Sequence, residues 1–547
     1  MLDYLNLNFK HKLSGVTMDN ILKTFQKNRT QTITMAALVL LFVMALRGMT
    51  TEDWVITLLR SLAVGSVTFL VAAGFSLIFG LMDVLNLAHG TLFMIGAYVG
   101  WTVFVRPDTF LDVSTPAGLV GGGLALVPVW AYLLKQQRWF RGFAANPAQP
   151  TLQRYWPWAG LVLGGLILAW GLPKYPITIW DPGVFSQSPG TYALGAAQGT
   201  LILPEPKLFE MNPYLVLGAI LLGSLIGGAA LAGFTIRSGS GHPGVKRFPR
   251  GVAIGAGALL LFGLGTFFFH GALTGFLVSI NNTWLFLLAV VVAVGVGFGL
   301  GAMMESALIR PLYSRPIYQI LMTLGVSAVG IEIVRVIWGR PEFTMPKPVI
   351  FDGAGEGCPA TSLANLIAYQ CSTVELLGSR VRTYNEIFVP LLGVVVLVAI
   401  WLLLQRTRLG MIIRAGVQDS EMVEALGINV RWVFTMVFAL GVGLAALGGV
   451  IAGPSMGLAL AMGESLLINA LIALAIGGLT SFPGAAAGSL MVGIIQQFMI
   501  KYGQLGINIP FLAEPFKPTP PLVPASTVLL MVIVLLVLPN GLFGKKE

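Results

Sequence analysis

A chain of 547 residues with 56% hydrophobic and only 10% charged side chains has too little charge to cover a soluble surface of its size. That excludes an ordinary water-soluble enzyme and points to an all-α polytopic membrane protein. The formal charge of +10 does not argue for nucleic acid, because Lys and Arg sit in short loops beside apolar runs, where membrane orientation places them.

Lys10, Lys12, Lys23, Lys27 and Arg29 precede an apolar run at 31–48 that ends in ALRGMTTED without a small-residue cleavage site. Residues 1–54 therefore read as a cytoplasmic N-terminus and an uncleaved extra span. Further runs that cross, or nearly cross, a hydrocarbon core of ~30 Å lie at 55–80, 87–105, 117–134, 157–172, 213–234, 252–270, 284–309, 319–338, 387–405, 430–453, 464–479, 485–500 and 523–538. The expectation is about fourteen spans. The runs at 157–172 and 464–479 are short, so tilted or re-entrant segments also fit them. Alternation from a cytoplasmic N-terminus puts two acid-free basic loops inside, one with Lys135, Arg138, Arg141 and Arg154, the other with Arg237, Lys246, Arg247 and Arg250. Loops of mixed sign, such as that of Arg106, Asp108 and Asp112, fall outside, so both termini are expected in the cytoplasm.

The segment LMDVLNLAHGTLFMIGAY at 81–98 puts polar groups and glycines at membrane depth, where they are costly unless they face a cavity or a partner. Asn86, His89, Gly90 and Thr91 are thus candidates for a substrate path or gate. An alternative stands beside this: Asn86 caps the helix that begins at Leu87, and His89 satisfies a backbone carbonyl. Gly441, Ala445, Gly449 and Gly453 recur every fourth residue and predict a seam for a second helix, with Gly297 and Gly301 a shorter version. Glu332 and Arg335, three apart, predict a structural ion pair. Cys358 and Cys371 fall in the polar segment 339–386 on the expected outer face, where a disulfide and two free thiols are both open. The only Gly-Lys pair, Gly544-Lys545, lacks the upstream glycine that a phosphate cradle needs, so ATP is expected on another chain. His11, His89, His242 and His270 are scattered, with no acidic or cysteine cluster at ligand spacing, so no metal site is expected.

The stretch QRTRLGMIIRAGVQDSEMVEALGINVRWV at 405–433 is a basic, hydrophilic interruption between spans. Asp419 suits the cap of a short helix with Glu421 and Glu424 in it, and Gly427 suits the position just past its end. Met422, Val423 and Leu426 then form an apolar stripe too short to bury within its own chain, which favours a partner's groove over a loop helix resting on the membrane.

RAGVQDSEMVEALGI, which begins at Arg414, resembles the cytoplasmic loop of the branched-chain amino acid permeases of ATP-binding cassette importers. NLAHG with MIGAY, ESALIRPLYSRP at 305–316, GGLTSFPGAAAG at 477–488 and LPNGLFG at 538–544 are similar to further family words, in family order. NLAHG matches the subunit type whose signature reads Asn, any small or apolar residue, Ala, His, Gly, although Thr91 stands where the family usually has an acid. The resemblance covers about 55–105 and 284–544, within core parts 55–106 and 284–547, and leaves 107–283 as an inserted transmembrane region with four candidate spans. It implies a translocation subunit in a prokaryotic inner membrane, with a homologous second permease subunit, two cytoplasmic ATPase subunits and an extracytoplasmic binding protein. It also implies that 419–426 is the helix that docks on the ATPase, and that ATP is held by partner subunits, with no cofactor on this chain. Branched-chain amino acids, other neutral amino acids, urea and short amides are all substrates of permeases of this kind. An ion-coupled secondary transporter is a weaker reading, since His89 and Glu332 are almost the only titratable groups at membrane depth, and a membrane scaffold would leave the 405–433 pattern without a purpose.

Overall fold

The computed structural model describes residues 49–136, 151–177, 195, 208–237, 248–339, 342–418, 420–479, 481–507 and 514–543. The expected span at 31–48, the basic residues Arg138, Arg141, Lys246 and Arg247, and Asp419 lie outside the described residues. Among the described residues, ten helices are long and apolar enough to cross a membrane, and three shorter apolar helices accompany them.

The centre of the molecule is built from α1 (Thr51–Met82), α2 (His89–Val105) and, much later in the chain, α9 (Asn282–Met304), α15 (Val430–Met456), α16 (Met462–Gly477) and α17 (Phe482–Leu505). α15 packs on α1, α2 and α9, and α17 packs on α1 and α16. α1 and α15 are the most buried spans, because their small residues let neighbours close in on every side. The predicted seam is real: a methyl group on Gly441 would lie 2.7 Å from the Gly74 carbonyl oxygen, and one on Gly449 would collide with the carbonyl of Phe93. α10 (Pro316–Trp338), α12 (Val389–Arg406) and α18 (Leu522–Val537) flank this centre, on α2, α1 and α16 with α17 respectively.

Between α2 and α9 the chain forms α3 (Pro107–Ala125), α4 (Val127–Gln136), α5 (Thr151–Gly171), α6 (Pro213–Arg237), α7 (Arg250–Phe268) and α8 (His270–Ser279). α6 packs on α3, α4 and α5, and α7 on α3, so these helices pack mainly on one another. The expected outer loop around Arg106 is no loop. α2 passes into α3 with only Arg106 between them, and its guanidinium, 1% exposed, is held by Asp108 at 2.8 Å. Two of the mixed charges assigned to an outer loop, Arg106 and Asp108, are a buried ion pair at a helix joint, which sequence spacing cannot distinguish from a loop.

One end of the bundle carries α11 (Leu363–Tyr369) and a hairpin of β1 (Thr373–Leu376) and β2 (Ser379–Arg382). Leu377 and Gly378, both at positive φ, make the two-residue turn that suits the strand twist. Ser379 Oγ donates to the Glu52 carbonyl, which ties the hairpin to the start of α1. The opposite end carries α13 (Arg408–Gln418) and α14 (Ser420–Ala425).

Candidate functional site

α1 ends at Asp83, which adopts the left-handed conformation, and the chain then turns back into the bundle before α2 begins. His89, the first residue of α2, reaches the carbonyl of Val71 at 3.2 Å, about three turns back along α1. The non-helical stretch between them is therefore deep, and such backbone is tolerated at depth only where protein supplies its partners. Here Leu87 N donates to Thr323 Oγ1 at 3.3 Å, Ala88 N donates to Asn86 Oδ1 at 3.1 Å, and Thr91 Oγ1 lies 2.6 Å from Ser327 Oγ. Gly90 sits against Gly463 so closely that a methyl group on it would strike that carbonyl, which lets α16 cross α2 at this level.

Asn86, His89, Gly90 and Thr91 are all buried, Asn86 and His89 completely. The helix starts at His89 rather than Leu87, and Asn86 caps the turn before it. His89 Nε2 must carry the proton it gives to Val71, which leaves Nδ1 as an acceptor. Nδ1 of His89 and Nδ2 of Asn86 have no hydrogen-bond partner among the described residues. Two buried polar atoms without a protein partner at one turn depart from the rule that buried polar groups are paired.

In the 405–433 stretch, α13 lies on α1 and α15 through Ile413, which is buried with Leu77, Val433 and Val437. Arg414 Nη1 donates to Gln405 Oε1 at 2.5 Å and so braces α13 on the end of α12. α14 follows with Glu421 and Glu424 on it; Glu424 is exposed. The expected apolar stripe divides: Val423 is buried, whereas Met422 and Leu426 are 59% and 73% exposed. The helix end is a Schellman motif, with Gly427 N donating to Glu424 O and Ile428 N to Val423 O, and Gly427 at φ +83°.

Sequence reasoning missed the polar hub beside this loop. Glu305, fully buried in a π-helical turn after α9, accepts from Arg310 at 2.7 Å and from the Tyr313 hydroxyl at 2.6 Å, and Thr435 Oγ1 of α15 lies 2.5 Å away. Burial, reinforced by the Glu305 carboxylate, pushes the Tyr313 phenol up, so it stays a donor. The signal is present in ESALIRPLYSRP, where Glu and Arg stand five apart at the end of an apolar run, but a π turn is needed to bring them together. At the hairpin end, Cys358 and Cys371 are joined by a disulfide with Cα atoms 5.5 Å apart. Glu332 and Arg335 form the expected pair at 2.6 Å. Among the described residues, no group of His, Cys, Asp and Glu could hold a metal ion.

The family described as branched-chain amino acid transport system, permease component, matches residues 57–137 and 251–539, more than half of the chain. The high-affinity branched-chain amino acid transport system permease protein LivH of Salmonella typhimurium is 23% identical over 278 residues, 50% of this chain and 79% of the relative. BraD of Pseudomonas aeruginosa, named as a permease protein of the same kind of system, is 30% identical over 169 residues, 30% of this chain and 50% of the relative. The probable branched-chain amino acid transport permease protein LivH of Methanocaldococcus jannaschii is 24% identical over 169 residues, 31% of this chain and 50% of the relative. No solved structure matches the chain. With its matched residues spanning both the central helices and the loop end, the chain belongs to the family of permease components of branched-chain amino acid transport systems, the translocation subunits of ATP-binding cassette importers.

Proposed function

We propose that this permease component imports branched-chain or closely related neutral amino acids, as the subunit type with the Asn-x-Ala-His-Gly signature. It works with a homologous second permease, two cytoplasmic ATPase subunits that bind and hydrolyse ATP, and an extracytoplasmic binding protein. Both termini lie in the cytoplasm of a prokaryotic inner membrane, which the basic loops support; a disulfide at the hairpin end supports an oxidising outer face there. The stretch 138–250, between the two parts of the chain that match the family, is an accessory group at the side of the transport unit.

The observation that carries the reading is α14, a capped helix whose Met422 and Leu426 side chains are exposed at the loop end while Val423 and Ile413 anchor the loop to α1 and α15. An ATPase groove that covers those two side chains would pass its movement through α13 and the Glu305 hub into the central spans. The ATPase docks on 419–427, with Arg414 and Glu424 at the polar edge. The test is ATP-dependent uptake of radiolabelled leucine by vesicles holding the complete complex, with urea as competitor. Uptake that needs ATP, that urea does not compete and that Leu426→Asp abolishes supports the reading, since the substitution puts an unpaired carboxylate into an apolar contact. Leucine uptake that follows an ion gradient without ATP, or a Leu426→Asp complex that copurifies with its ATPase and transports as before, refutes it.

A further inference from the structure

Arg60 interrupts the apolar run of α1 and stands far from the loop end. Its Nε donates to Glu386 at 2.9 Å, and Glu386, 2% exposed, also accepts from the backbone N–H of Arg382. The terminal nitrogens of Arg60 make no hydrogen bond to the described residues, and its side chain is 46% exposed. It opens into a cavity of about 390 Å³ between α1, α15, α16, α17 and the turn that follows β2. This volume is within the range of small-molecule sites, roughly 300–1,000 Å³.

The lining has two characters. Gln496 Nε2 donates to Asn469 Oδ1 at 3.0 Å, and Ser455 Oγ donates to Asn385 Oδ1 at 2.8 Å, so each amide is fixed by one bond and keeps its other polar atom for the cavity. Val64, Val67 and Leu466 supply apolar wall. Polar side chains that converge from four helices and a turn are too costly to face lipid, so they face a path or a ligand.

The geometry points to this cavity as a binding subsite for an α-amino acid with an aliphatic side chain. The free guanidinium nitrogens of Arg60 take the carboxylate, an interaction for which a planar fork of donors is suited. The Gln496 carbonyl oxygen takes the ammonium, and the valine and leucine wall takes the side chain. Glu386 holds Arg60 in place while leaving its outer nitrogens open, which is how a charged subsite stays ready without collapsing into a closed ion pair. The site stands at the hairpin end, on the face opposite α14, where a substrate would enter before any movement driven from the loop end. This rests on the amino-acid reading of the proposed function.

The probe is the diazirine analogue of leucine, photolysed with the complete complex in lipid nanodiscs, with adducts mapped by mass spectrometry. Adducts are expected on the peptides of Val64 and Leu466, competed by leucine but not by 3-methylbutanamide, which has neither charged group. Arg60→Gln should reduce labelling about tenfold or more, the loss of a charge-assisted pair, with partial recovery in Arg60→Lys. Val64→Trp, which fills the cavity and leaves every charge in place, should abolish labelling and leucine uptake in complexes that still assemble with the ATPase; it carries the test if Arg60→Gln fails to fold. Labelling that is absent, lies elsewhere, or is unchanged in Val64→Trp overturns the inference. If the vesicles import no leucine at all, the amino-acid reading falls. If they import it normally with Val64→Trp, only this cavity falls.

Discussion

Replacing Gly427 with Val tests the coupling helix through backbone conformation alone. Gly427 sits at φ +83°, and a Cβ built on it would meet no atom within 4 Å. Substitution therefore adds no clash, and its whole effect is the cost of holding a side chain in the left-handed region. That cost is about 2 kcal/mol for a residue with a β-carbon, and more for a branched one. A helix of six residues has little stability of its own to absorb it. At about 1.4 kcal/mol per factor of ten, the Schellman end becomes about 30-fold less favourable, enough to leave α14 unwound much of the time. Asparagine tolerates this conformation, so Gly427→Asn should retain most function. The assay is leucine-stimulated ATP hydrolysis in reconstituted vesicles, beside copurification of the ATPase. The expected order is wild type, then Gly427→Asn, then Gly427→Val, with total insertion equal in all three. Equal coupling in Gly427→Val and wild type would refute the proposed role of this helix end, because strain at that position would then have no bearing on docking.

Glu305→Ala should lower the thermal midpoint of the detergent-solubilised complex, since it strands Arg310 beside Thr435. With Arg310 27% exposed, about 2–3 kcal/mol is expected, toward the lower end for a broken buried pair; Glu305→Gln, which keeps the shape, should lose less, and an unchanged midpoint in both would show that the hub contributes nothing. His270 Nε2 lies 2.9 Å from Asp112 Oδ1, and the bond to that carboxylate holds the histidine pKa above its ordinary value. A raised folded pKa means that the stabilisation is complete below the unfolded value near 6.5 and is lost as pH rises through the folded value. Thermal midpoints should therefore fall between mildly acidic pH and pH above that value, and Asp112→Asn should flatten the profile; a midpoint that rises over the same interval contradicts the assignment.

Composition and local spacing, which are properties of the sequence by itself, determined the spans, the helix seam and the end of α14. Apolar runs of sufficient length had to become helices, because lipid offers the backbone no other partner. Small residues every fourth position on α15 had to form a seam, and Gly427 had to end α14, since both depend only on which side chain is missing and where. Tertiary structure alone decided the rest. Arg106 and Asp108 read as a loop because only the direct passage of α2 into α3 buries them together. Glu305 became a hub through a π turn that brings Arg310, Tyr313 and Thr435 onto one carboxylate, and no periodicity announces such a turn. His89 met Val71 because the chain folds back into the bundle after Asp83. The Arg60 cavity draws on residues from position 60 to position 497. Its polar groups look like isolated defects along separate apolar helices until packing places them on one wall, and that convergence is a property of distance in space, which sequence order does not carry.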